Sequence, residues 1–128
     1  MVALVIQSDH AHNDVRAFLR ENREQLVLPS ITVGEIGQVI GSRGGTLAEV
    51  RLLRLLAGGA YPLVEAASAD YARAADFVER YADFPLGTVD ALIAAMAERL
   101  GVTSILTLDR RHFGAIRPRH CERFTLVP

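Results

Sequence analysis

An α/β sandwich with a largely parallel sheet is the fold class this sequence predicts. Short apolar runs of strand length recur along the chain, at Gln25–Leu28, Tyr61–Ala66, Ser104–Leu108 and Arg123–Val127. Stretches with helical periodicity, most of them opened by a capping residue, separate these runs. No repeat, low-complexity tract or linker divides the 128 residues, and a chain of this length forms one domain, 1–128.

The elements follow in order. Met1 to Gln7 is apolar and too short for periodicity to decide between strand and helix. The polar run from Ser8 to Asn13 reads as a loop. His10 and His12 within it have metal-binding spacing, but no further ligand cluster accompanies them. Asp14 to Glu24 is an amphipathic helix with Val15, Phe18 and Leu19 inside. After the Gln25–Leu28 strand, which Pro29 closes, Thr32 and Glu35 fit a Thr-x-x-Glu capping box. Gly34, Gly37 and Gly41 lie on that helix and permit close approach of a neighbour. Ser42 to Gly45 reads as a loop. Thr46 to Ala57 is a second capped helix, with Leu47, Val50, Leu53 and Leu56 on one stripe. Ser68 caps a helix from Ala69 to Tyr81 with Tyr71, Ala74, Ala75 and Val78 inside.

Composition excludes several chemistries. All 14 basic residues are arginine, which removes Schiff-base catalysis and the P-loop phosphate grip. It also argues against a response-regulator receiver, whose pattern includes a lysine. No apolar run is long enough to cross a membrane, and Met1 to Ile6 lacks the features of a signal peptide. The single cysteine, Cys121, forms no internal disulfide, which fits a cytoplasmic location. Net charge is −1 but uneven: Arg110 to Arg123 holds five arginines and two histidines against Glu122, whereas acids outnumber arginines six to two from Asp70 to Glu98. That division suits a metal-bound phosphodiester with arginines on neighbouring phosphates, and equally a solvated basic surface.

Residues Phe84 to Phe113 carry the most information. Pro85 and Gly87 make a turn, Thr88 is a good N-cap, and Val89 to Leu100 is a helix that Gly101 ends in the left-handed conformation. Asp90 thus falls in a helix's first turn, and Asp109 at the C-terminal mouth of the Ser104–Leu108 strand, where ligands of parallel sheets sit. Each acid also has an ordinary structural reading, through the helix dipole or a polar turn. Arg110 to Phe113 continues as a short helical turn.

Leu86 to Leu92 followed by Leu106 to Phe113 resembles the C-terminal half of PIN-domain ribonucleases, most closely the VapC-type toxins of toxin–antitoxin pairs. The Arg123–Pro128 tail also matches. The resemblance implies a PIN-like three-layer sandwich, with a mostly parallel central sheet flanked by helices. It implies a Mg²⁺- or Mn²⁺-dependent endoribonuclease, a cognate antitoxin, an RNA substrate and a homodimer. It carries the metal-ligand role onto Glu35, Asp90 and Asp109, although the residues alone favour a capping role for Glu35. Thr88, Thr107 and Arg110 become contacts to those ligands or to phosphate, with helix capping the alternative for Thr88.

Converging carboxylates repel, and a divalent cation relieves the repulsion. Oxygen-only ligands suit Mg²⁺ or Mn²⁺. The chain departs from the family at its start, where PIN domains carry a strand ending in a ligating Asp. Met1 to Ile6 instead matches the helix after that strand, and Asp9 falls too late. Either the natural chain begins further upstream, or Val2 to Ile6 serves as the strand of a degenerate domain. Both lead to the expectation of poor RNA cleavage. The alternative function is a non-catalytic PIN-like domain that binds RNA or an antitoxin. A zinc site from His112, His120 and Cys121 has no matching spacing. The apolar, glycine-bearing helices from Ile31 to Leu56 suit a groove for an antitoxin's amphipathic segment.

Overall fold

The structure, a computed structural model, describes residues 12–22, 26–107 and 109–128. These fall into two compact units divided between Glu65 and Ala66. The expectations for Met1 to Gln7, Asp9, His10, Arg23 to Gln25 and Leu108 lie outside the described residues.

In the first unit, α1 (His12–Glu21) buries Val15 and Leu19, as its periodicity requires. Strand β1 (Leu28–Pro29) pairs in parallel with β2 (Leu63–Val64), in the register Leu28 to Leu63 and Pro29 to Val64. The Ser30 hydroxyl donates to Glu65 Oε2 at 2.7 Å and ties the two strand ends.

Between the strands runs α2 (Val33–Ala57), entered through a 3-10 turn over Ser30–Thr32. The Thr32–Glu35 capping box does not form. An N-cap needs extended backbone, whereas the 3-10 turn holds Thr32 at φ −84°, ψ −15°. Its hydroxyl donates back to the Pro29 carbonyl at 2.7 Å instead. The expected loop at Ser42 to Gly45 shrinks to one residue: only Gly45, at φ 70°, ψ −179°, leaves helical space, a conformation that favours glycine. Glu49 reaches back across this break, and a Cβ on Gly41 would lie 3.2 Å from its Oε2. The close approach expected at Gly41 is therefore made within α2 itself.

The expected buried stripe of α2 is also corrected, since Leu47 and Leu53 are 62% and 52% exposed. Leu52 is buried instead, with Ala48 and Leu56 half-buried one turn to either side. Leucines at 52, 53, 55 and 56 supply two competing stripes, and apolar periodicity cannot choose between them.

In the second unit, α3 (Ser68–Arg80) packs along α4 (Thr88–Leu100). Ala67 rather than Ser68 is the N-cap of α3, and its amide donates to Asp70 at 2.8 Å. The buried face of α3 is Asp70, Ala74 and Phe77, whereas Tyr71 and Val78, expected inside, are exposed. Asp70 takes the interior position because Arg99 of α4 meets it there. Arg99 Nη2 lies 2.8 Å from Asp70 Oδ2, and its Nε is 2.9 and 3.0 Å from the two carboxylate oxygens. A charge-reversed pair lies beside it: Arg73 donates to both oxygens of Glu98, at 2.7 and 2.9 Å. The Arg73 guanidinium also stacks 4.1 Å above the Phe77 ring.

Helix α4 buries Leu92 and Met96 together with four alanines, Ala91, Ala94, Ala95 and Ala97. Its high alanine content favours the helix, and Gly101 at φ 66°, ψ 22° ends it as expected. Strand β3 (Ser104–Leu106) follows, then α5 (Arg110–Ala115) and β4 (Thr125–Val127). β3 and β4 pair in parallel, with Ile105 opposite Leu126. Among the described residues every strand pairing is parallel, in keeping with the expected α/β class. No helix among them is long and apolar enough to cross a membrane.

Candidate active site

Two backbone devices place the two acids of the second unit. Gly87, the N-cap of α4, has extended backbone, so Thr88 is the first helical residue and Asp90 sits in the first turn. There the helix dipole favours its negative charge. Thr88 does not cap the helix; it is exposed at the helix start. Asp109 follows β3 as the N-cap of α5, and its Oδ1 accepts the amides of Arg111 and His112, each at 3.1 Å. Thr107 secures the approach. Its amide donates to the Val127 carbonyl at 2.9 Å, and its hydroxyl accepts the Asp109 amide at 3.0 Å.

These devices bring Asp90 and Asp109 together, with His112 beside them. His112 Nδ1 is 2.7 Å from Asp109 Oδ2 and 3.7 Å from Asp90 Oδ2. One ligand atom from each of the three residues lies within 4.8 Å of the other two. All three side chains keep solvent access, at 27%, 45% and 29% exposure for Asp90, Asp109 and His112. The hydrogen bond from the His112 amide, reinforced by the His112 ring and the Arg111 amide, holds the Asp109 carboxyl below its ordinary pKa despite partial burial. Two aspartates open to solvent, with an imidazole beside them, fit a divalent cation.

The flanking groups are aromatic and basic. The Phe84 ring meets His112 edge-on at 5.4 Å, and the Arg111 guanidinium stacks over the same ring at 5.1 Å. Arg110 donates to the Pro128 carbonyl, so part of its guanidinium is spent on the C-terminal strand. Glu35 lies in the first unit, exposed on the first turn of α2.

The zinc constellation does not assemble. His120 Nε2 is 2.7 Å from the Val102 carbonyl, and Cys121 Sγ sits 3.8 Å from the same ring, whereas His112 lies with the aspartates. Sequence reasoning gave His112 no role at the aspartates. Its spacing from Asp109, N-cap to third helical residue, was the available signal, because those positions adjoin on a first turn.

The PIN domain family matches residues 1–117. This chain belongs to that family. A curated relative, ribonuclease VapC26 of Mycobacterium tuberculosis, is 38% identical over 122 residues, spanning 95% of this chain and 89% of its own. The chain therefore belongs with the VapC-type PIN ribonucleases. The crystal structure of VapC20 of Mycobacterium tuberculosis, described as a toxin cleaving the sarcin–ricin loop, superposes with a TM-score of 0.80. It covers 89% of this chain and 88% of its own at 17% identity. At that identity the likeness shows the PIN fold alone.

Proposed function

We propose that this PIN domain is the toxin of a toxin–antitoxin pair, a divalent-metal-dependent endoribonuclease that cuts RNA phosphodiester bonds. The meeting of Asp90 and Asp109 beside His112, in a chain 38% identical to a named ribonuclease, carries the reading. Asp90 and Asp109 are the carboxylates that hold the cation, and Glu35 is a third by its place in the family pattern. Mg²⁺ or Mn²⁺ bound there supplies positive charge for the phosphate and acidifies a water for attack on phosphorus. The Asp109 amide contacts keep its carboxylate ionised and oriented before any substrate arrives. Arg111, whose guanidinium lies over the Phe84 ring, offers its charge to a neighbouring phosphate, with Arg110 and Thr88 as further phosphate contacts. Thr107 acts through Asp109 by fixing its backbone.

The partner is an antitoxin from the neighbouring reading frame. Its amphipathic segment docks on α2, where the exposed Leu47 and Leu53 favour apolar cover. Homodimerisation follows the family pattern, and the setting is the cytoplasm.

The test is cleavage of an RNA pool, with a sarcin–ricin-type hairpin included, in Mg²⁺, Mn²⁺ and EDTA. Slow cutting that EDTA and Asp90→Asn both abolish is expected. Cutting that persists in EDTA sinks the metal reading. A folded protein that cuts nothing, yet captures the neighbouring frame's product, supports the binding-domain alternative.

A further inference from the structure

We infer that His112 is a positioning residue, which orients the Asp109 carboxylate and leaves it one lone pair to offer a divalent cation. The inference rests on the metal-site reading above and concerns how that site is built. A carboxylate has about four lone-pair positions, two on each oxygen. On Asp109, Oδ1 spends both on the amides of Arg111 and His112, and Oδ2 spends one on His112 Nδ1 at 2.7 Å. Among the described contacts, the remaining position is on Oδ2, the oxygen that shares His112 Nδ1 with Asp90 Oδ2.

One residue thus grips both oxygens, through its backbone on one and its ring on the other. The ring cannot turn freely, because Phe84 meets it edge-on at 5.4 Å. An ionised carboxylate only accepts hydrogen bonds, so the contact fixes a proton on Nδ1. The imidazole is then a donor to a ligating carboxylate, the outer-shell arrangement whose loss costs about 10–100-fold in metal affinity.

The consequence is separable from packing. Asn places its amide donor where histidine has Nδ1, whereas Phe keeps the ring and removes the donor. Mn²⁺ titrations followed by the free-ion EPR signal, with melting temperatures alongside, compare the variants. His112→Asn is expected within about threefold of the parent, and His112→Phe about tenfold or more weaker at a similar melting temperature. Should His112→Phe fail to fold, His112→Gln, whose amide reaches the Nε2 position, takes its place with the same expected weakening. On metal-free protein, long-range ¹H–¹⁵N spectra of the imidazole are expected to show the proton on Nδ1.

Parental affinity in His112→Phe overturns the inference and leaves the metal site standing. So does a proton found on Nε2 alone, or His112→Asn as weak as His112→Phe. A parent protein that binds no Mn²⁺ overturns the metal site itself and the inference with it.

Discussion

At its C-terminal end, α4 presents Glu98 and Arg99 to α3, where Arg73 and Asp70 meet them in a crossed double pair. At its N-terminal end, Asp90 faces a second aspartate and a histidine. The two ends of this helix therefore meet carboxylates in two different settings. At one end each acid has a guanidinium of its own, with good geometry. Burial alone would raise the Asp70 carboxyl, but hydrogen bonds from Arg99 and the Ala67 amide hold it below its ordinary pKa. Glu98 is held down in the same way, by Arg73 and the Arg119 amide against burial. At the other end, backbone amides and an imidazole hold Asp109, and the same imidazole lies 3.7 Å from Asp90. Arginine takes up both oxygens of a carboxylate in a bidentate pair; on Asp109 the amides and imidazole orient the carboxylate and leave a lone pair on Oδ2. The difference separates acids that tie two helices together from the acids proposed to hold the cation.

The comparison breaks most clearly at Asp109. Asp109→Asn keeps an N-cap acceptor, so melting changes little while metal-dependent RNA cleavage is expected to fall to background. Asp109→Ala also loses the cap, which costs about 1 kcal/mol, or about 4 °C in melting temperature. Equal melting temperatures for the two variants would show that the cap contributes nothing.

At the closed end the expected effects reverse, with stability lost and chemistry kept. Glu98→Ala strips acceptors from Arg73 and from the Arg119 amide, costing about 2 kcal/mol by denaturant titration. Asp70→Ala removes the carboxylate that Arg99 and the Ala67 amide share at a 2%-exposed position and is expected to fall at least as far. Mn²⁺ affinity in either folded variant is expected to match the parent. A large loss would show that the two ends are not independent.

The smallest effect is in pH. Folded pKa values of Asp70 and Glu98 lie below their unfolded ones, so their contribution is complete above about pH 4.5. It is lost as pH falls through the folded values. Melting temperature against pH is therefore expected to drop below about pH 4 in the parent, and less steeply in Glu98→Ala.

Much of the open end was legible in the sequence. A carboxylate in a helix's first turn and another at a strand's mouth were both placed correctly, because cap and turn chemistry is local. His112 was not, because its role depends on which partners the short α5 helix brings it against. The closed end was misread for a different reason. Hydropathy assigns Asp70 to the surface and Tyr71 inside, and the helix is turned the other way because Arg99, far along the chain, awaits Asp70. The same limit hid the true buried line of α2, where adjacent leucines made two stripes equally good. The failed Thr32 cap shows a local rule overruled by a 3-10 turn that the motif does not encode.

Beside Leu92 and Met96, helix α4 buries four alanines, positions with no side chain to rearrange. Ala91, Ala94, Ala95 and Ala97 meet their surroundings with backbone and single methyl groups, so a larger side chain at any of them has to overpack the core. Any enlargement there must displace the whole rod, at about 1–3 kcal/mol. A displaced rod carries Asp90 with it, and a misplacement of about 1 Å at a reacting centre costs about 100-fold in rate. The alanines thus make α4 a gauge for the placement of Asp90.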